Sequence, residues 1–128
     1  MSKKNIAVLV SGGGTNLQSL LDCQEKGMFG ESRITAVISS KEGVFALERA
    51  KRHGVPGFVL PRKSYPDIAS YSKALADLLE EQKADLVVLA GFLTIFDEQV
   101  FLRFPYRILN IHPALIPSFC GKGYYGLH

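Results

Sequence analysis

Apolar positions along this chain switch between two periods. Residues 5–10 (Asn-Ile-Ala-Val-Leu-Val) form a continuous run rich in β-branched side chains, the pattern of a strand buried on both faces. A polar, glycine-rich turn follows. Leu17, Leu20 and Leu21 then recur at helical spacing, which predicts a helix running to about Gly27 or Gly30. The same alternation repeats down the chain. Residues 34–38 predict a second strand, and Val44, Leu47 and Ala50 a second helix stopped at His53-Gly54. Residues 57–60 predict a short third strand ended by Pro61. Ile68, Tyr71, Leu75, Leu78 and Leu79 make the stripe of a third helix, with Asp67 placed to cap its first turn. Residues 85–90 predict the fourth strand, residues 97–104 a short helix terminated by Pro105, and residues 107–111 the fifth strand. Beyond His112 the periodicity stops and Pro and Gly punctuate a loop. Strand–helix alternation repeated four times predicts an α/β domain: a Rossmann-like open parallel sheet with helices on both faces and right-handed crossovers.

Composition narrows the function classes. At 128 residues the chain is one domain, and 47% hydrophobic with 21% charged residues excludes a disordered tail, a collagen-like fibre and a coiled coil. A formal net charge of +3, with the basic residues scattered, makes no case for nucleic acid. Lys3 and Lys4 precede an apolar run, but that run covers only residues 6–10 and ends in Ser-Gly-Gly-Gly, so it does not read as a secretory signal. No apolar stretch approaches the ~18 residues of a membrane span. The expectation is a cytoplasmic protein that uses neither nucleic acid nor a membrane. Cys23 and Cys120 lack metal-type spacing and are too few for a disulfide framework, and no metal is expected.

Three segments carry candidate chemistry, each at the carboxyl end of a predicted strand, where ligands bind in open α/β sheets. The first is Ser11-Gly12-Gly13-Gly14-Thr15-Asn16. Glycines there let backbone N–H groups approach a ligand, and the helix that follows adds partial positive charge, so Gly12, Gly13, Gly14, Thr15 and Asn16 are candidate anion binders. A Walker loop would need Gly-Lys-Ser/Thr. A dinucleotide loop would need a glycine where Leu17 stands and an acid where Ser39-Ser40-Lys41 stands. A small-molecule phosphomonoester remains. The second segment is Asn110-Ile111-His112-Pro113. Side chains alternate along a strand, so Asn110 and His112 point the same way; an amide can donate to a developing oxyanion and an imidazole can move a proton near neutral pH. The third is the run from Leu89 through Phe92, Leu93, Thr94, Ile95 and Phe96. It suits either the wall of a pocket for a flat aromatic ligand or packing on the next helix. Tyr124 and Tyr125 can likewise stack on a ligand or cover the sheet.

At these motifs the sequence resembles the phosphoribosylglycinamide formyltransferase family of folate-dependent enzymes. The matching pieces are VLVSGGGTNLQSLL (8–21), VVLAGF (87–92) and ILNIHPALIP (108–117). Other formyltransferases share the last motif, whereas the first separates this family from the methionyl-tRNA enzymes and from formyltetrahydrofolate hydrolases. The resemblance implies formyl transfer from 10-formyltetrahydrofolate, as co-substrate, to the amine of glycinamide ribonucleotide in purine synthesis. It implies that Gly14, Thr15 and Asn16 lie at the ribonucleotide phosphate, that Asn110 and His112 are catalytic, and that Leu89, Leu93, Thr94, Ile95, Phe96 and Asn110 face the folate. Thr94 and Ile68 stand where some relatives carry Arg. The family's third catalytic residue, an Asp, follows the Asn-x-His motif beyond His128. The expectation is therefore an N-terminal formyltransferase domain over 1–128, truncated and nearly inactive by itself, with self-association through an exposed sheet edge. Formyltetrahydrofolate hydrolysis and a non-catalytic phosphate-binding fragment are the alternatives.

Overall fold

Five of the six residues of β1 (Asn5–Val10) are buried, and their side chains divide between two cores. Ile6, Val8 and Val10 enter one apolar cluster, Ala7 and Leu9 the other. A strand that is apolar on both sides needs cover on both, and the fold provides it. The computed structural model describes residues 3–111. On one face α1 (Thr15–Glu25) packs Leu17, Leu20 and Leu21 against the sheet, beside Ala46 and Ala50 of α2 (Phe45–Arg52). On the other face lie Tyr71, Leu75 and Leu79 of α3 (Ile68–Glu81) with Val100 of α4 (Glu98–Arg103).

The remaining strands are β2 (Arg33–Ser39), β3 (Gly57–Val59), β4 (Leu86–Leu89) and β5 (Ile108–Asn110). Every pairing is parallel, in the spatial order β3-β2-β1-β4-β5. All the predicted strands and helices are present. Asp67 caps α3 by accepting from the Ser70 N–H at 2.7 Å, and Asp97 caps α4 by accepting from the Gln99 N–H at 3.0 Å. These hydrogen bonds hold both carboxyls, Asp67 exposed and Asp97 half-buried, below the usual carboxylate range. Between Ile6 and Ala7 the β2 partner jumps from Ile34 to Ala36, so Thr35 is the extra residue of a bulge. Among the described residues β3 and β5 are the sheet's edges. No helix among them is long and apolar enough to cross a membrane.

Candidate functional site

The strand order reverses at β1. From β1 the chain lays down β2 and β3 on one side, then crosses to place β4 and β5 on the other. The loops leaving β1 and β4 therefore stand side by side at the sheet's carboxyl edge, at the switch point where open α/β sheets take ligands. The two loops touch. Gly91 opens the β4 loop at φ +75°, and a Cβ on it would sit 3.7 Å from Asn16 Nδ2. Leu9 of β1, Leu89 of β4 and Asn110 of β5 share one rung, which sets Asn110 two strand spacings, about 10 Å, from the β1 backbone.

The glycines of the first loop have different tasks. Gly14 is the N-cap residue of α1 at φ +83°, and a Cβ there would come within 2.6 Å of Ala46 Cβ and 2.8 Å of Ala46 Cα. Its missing side chain makes room for α2, rather than for a ligand. Gly12 and Gly13 are exposed and have open space where a Cβ would stand, so these two leave the backbone approachable. The amino end of α1 has no side-chain cap and no acidic residue in its first turn. Its first N–H groups have no intrahelical acceptors, and Thr15 and Asn16 stand at that end, so the local field favours an anion.

Arg49 of α2 steadies this loop. Its Nε donates to the Gly13 carbonyl at 2.8 Å and Nη1 to Gln18 Oε1 at 3.2 Å, while the guanidinium lies 4.8 Å from the Phe45 ring centre. Gln18 in turn contacts Asp22 and His53, and His53 Nδ1 lies 2.7 Å from Glu25 Oε2. The sequence reading missed Arg49, because a charge on an amphipathic helix looks like a solvated face until the packing places it beside the loop.

The apolar run after β4 divides in two. Phe92 and Phe96 pack against the α3-side core, and Phe96 also stacks near Phe101 at 5.3 Å. Leu89 packs on the same core from the strand end. Leu93 and Ile95 face outward, 79% and 71% exposed. Thr94 is half-buried and borders a cavity of about 400 Å³ with Ser40, Lys41, Glu42, Arg62 and Lys63, three cations against one acid. The loop ends where the Asp97 N–H donates to Ser72 Oγ at 2.7 Å. Asn110 is exposed at the end of β5. His112, Tyr124 and Tyr125 lie outside the described residues. Among the described residues no cluster of His, Cys, Asp or Glu is arranged to hold a metal ion.

Known proteins share this arrangement. The family model described as formyl transferase matches residues 4–127. The phosphoribosylglycinamide formyltransferase of Haemophilus influenzae is 40% identical over 122 residues, which cover 95% of this chain and 57% of that protein. The human trifunctional purine biosynthetic protein adenosine-3 is 40% identical over 120 residues, 94% of this chain and 12% of that one. Among solved structures, glycinamide ribonucleotide transformylase 1 of Symbiobacterium toebii superposes with a TM-score of 0.81 at 40% identity, covering 87% of this chain and 52% of that chain. The chain thus spans just over half the length of the Haemophilus and Symbiobacterium proteins. Sequence pattern and sheet agree from β1 to β5, and the chain belongs to the formyl transferase family.

Proposed function

We propose that this chain carries the ribonucleotide-binding and donor-binding half of a phosphoribosylglycinamide formyltransferase. The reaction moves a formyl group from 10-formyltetrahydrofolate to the amine of 5-phosphoribosylglycinamide in cytoplasmic purine biosynthesis. The observation that carries this reading is the strand reversal at β1. It sets a glycine-rich loop against a half-apolar loop, with Asn110 on the rung beside Leu89.

In this reading Gly12 and Gly13, with the N–H groups of Gly14, Thr15 and Asn16, hold the phosphomonoester. Leu89, Leu93, Thr94, Ile95 and Phe96 flank the folate ring, and the exposed Leu93 and Ile95 gain most from its arrival. Lys41, Arg62 and Lys63 suit the donor's carboxylates at the cavity that Thr94 borders. The substrate amine attacks the formyl carbon, and the carbonyl electron pair moves to oxygen. The Asn110 amide donates to that oxyanion, and His112 takes the proton released by the attacking nitrogen. Collapse of the intermediate re-forms the carbonyl and breaks the bond to the folate nitrogen, which leaves with the proton that His112 returns. One oxyanion donor is worth about 10²–10³-fold in rate.

Calorimetry on this chain tests the reading, with glycinamide ribonucleotide and tetrahydrofolate titrated separately and then together. Binding of both, with ribonucleotide affinity reduced at least tenfold by Gly13→Val, supports it. Binding of the ribonucleotide alone points to a phosphate-ligand module. Formate released from the formyl donor without any amine acceptor would move the assignment to a hydrolase.

A further inference from the structure

Ser11 is the first residue after β1, and it is polar directly after the apolar run Ile6–Val10. It is 3% exposed, so its hydroxyl must be satisfied inside the protein. Two partners satisfy it. Ser11 Oγ accepts from the Leu93 backbone N–H at 3.0 Å and shares a 2.6 Å hydrogen bond with Ser40 Oγ. Ser40, 5% exposed, follows β2, and its own N–H donates to the Val10 carbonyl at 3.0 Å. A hydroxyl offers one proton and two lone pairs, so this side chain can engage both partners at once. It is thereby bonded to the segments that leave β2 and β4 from its own place at the end of β1.

The bond to Leu93 matters because packing does not hold that residue. Phe92 and Phe96 are anchored in the α3-side core, but the Leu93 side chain is 79% exposed between them. Its main chain is fixed by an atom 82 residues earlier, in the glycine-rich loop itself.

We propose that Ser11 is a positioning residue that sets the height of the donor loop against the ribonucleotide loop, so that the formyl donor is received by a backbone held in register with the phosphate site. This rests on the reading of the two loops given above. Ser11 does not touch the reacting atoms; it acts through Leu93. Ser11→Ala removes the acceptor while the apolar anchors of the loop remain, so the fold is expected to persist.

The test uses this chain and two readouts. The first is amide hydrogen exchange at Leu93, which needs no ligand. The second is calorimetric affinity for tetrahydrofolate and for glycinamide ribonucleotide. Ser11→Ala should speed exchange at Leu93 at least tenfold and weaken tetrahydrofolate about five- to tenfold, the scale of one neutral hydrogen bond. Ribonucleotide affinity should change less than twofold. Ser40→Ala, which leaves the Ser11–Leu93 bond in place, should keep Leu93 exchange within about threefold of the parent chain. Unchanged Leu93 exchange in Ser11→Ala would overturn the tie. Faster exchange with unchanged tetrahydrofolate affinity would overturn the positioning role while leaving the functional reading intact. Equal weakening of both ligands would overturn it too, because the effect would then be general loosening. If the parent chain bound no tetrahydrofolate at all, the functional reading would fail, and the positioning role with it, even with the Leu93 tie intact.

Discussion

A single methyl group at Gly14 should damage this protein far more than the same group at Gly13. Gly14→Ala places a Cβ on a residue at φ +83°, where an L side chain crowds its own backbone at a cost of about 1–2 kcal/mol. The new atom also meets Ala46 Cβ at 2.6 Å and Ala46 Cα at 2.8 Å. The second contact is with backbone, so no rotamer change relieves it; overpacking of this kind costs about 1–3 kcal/mol. Together the expected loss is about 2–5 kcal/mol, a large share of the ~5–15 kcal/mol that stabilises a domain. Urea unfolding followed by far-ultraviolet circular dichroism should show the midpoint falling by at least about 0.7 M, taking a slope of about 1–3 kcal/mol/M. Gly13→Ala, which points into open space, should stay within about 0.5 kcal/mol of the parent. Ala46→Gly removes the Cβ contact but not the one at Cα, so the double variant should recover only part of the loss. A Gly14→Ala variant as stable as Gly13→Ala would refute the account of α2 seated against the loop.

Three further outcomes are expected. Arg49→Met should lower ribonucleotide affinity three- to tenfold by calorimetry, because the Gly13 carbonyl loses its donor, and Arg49→Lys should not restore it, since an ammonium cannot span Gly13 and Gln18 as the guanidinium does. Burial pushes the Tyr71 hydroxyl up to about 12 from its ordinary 10.0; a raised folded value means its contribution is complete below pH 10 and is lost as pH rises toward 12. Tyr71→Phe, which leaves the Leu60 carbonyl without its 2.8 Å donor, should therefore be about 1 kcal/mol less stable near pH 7, and its melting temperature should converge on the parent's as pH climbs above 10. In the whole protein, Asn110→Ala and His112→Ala should each lower kcat by about 10²–10³ with little change in KM, and the double variant should fall short of the product, since groups acting as a unit are not additive.

Periodicity located the central strands because the sheet is covered on both faces there, which makes β1 and β4 nearly solid apolar runs, whereas the largely exposed edge strands β3 and β5 are short and legible mainly from the turns that flank them. The caps at Asp67 and Asp97 followed from side-chain chemistry local to a few residues. The spatial order of the strands did not follow, because it depends on pairings such as Ile6 with Leu86 that no local pattern encodes. For the same reason the glycine-rich segment was recognisable as a loop, but the division of labour within it was not. Gly14 answers to Ala46 and Arg49, which sit on a helix whose own sequence shows only an ordinary amphipathic face. The apolar run after β4 was ambiguous in sequence for a physical reason: alternate residues do opposite things, Phe92 and Phe96 packing inward while Leu93 and Ile95 face water.

The central position of β1 also has a consequence for synthesis. Its partner on one side, β2, is made soon after it, but its partner on the other, β4, begins at Leu86, so one edge of this buried central strand waits through α1, β2, α2, β3 and α3. Bringing Asn5 to Asp85, 80 residues apart, carries a loop-closure term of about 4 kcal/mol, which the β1–β4 pairing and the core beneath it must outweigh at one late moment. Until the ribosome has released that stretch, a nascent chain presents an unpaired strand edge to its neighbours. Slower elongation ahead of β4 would lengthen that exposure, and crowded polysomes would be where such chains find one another.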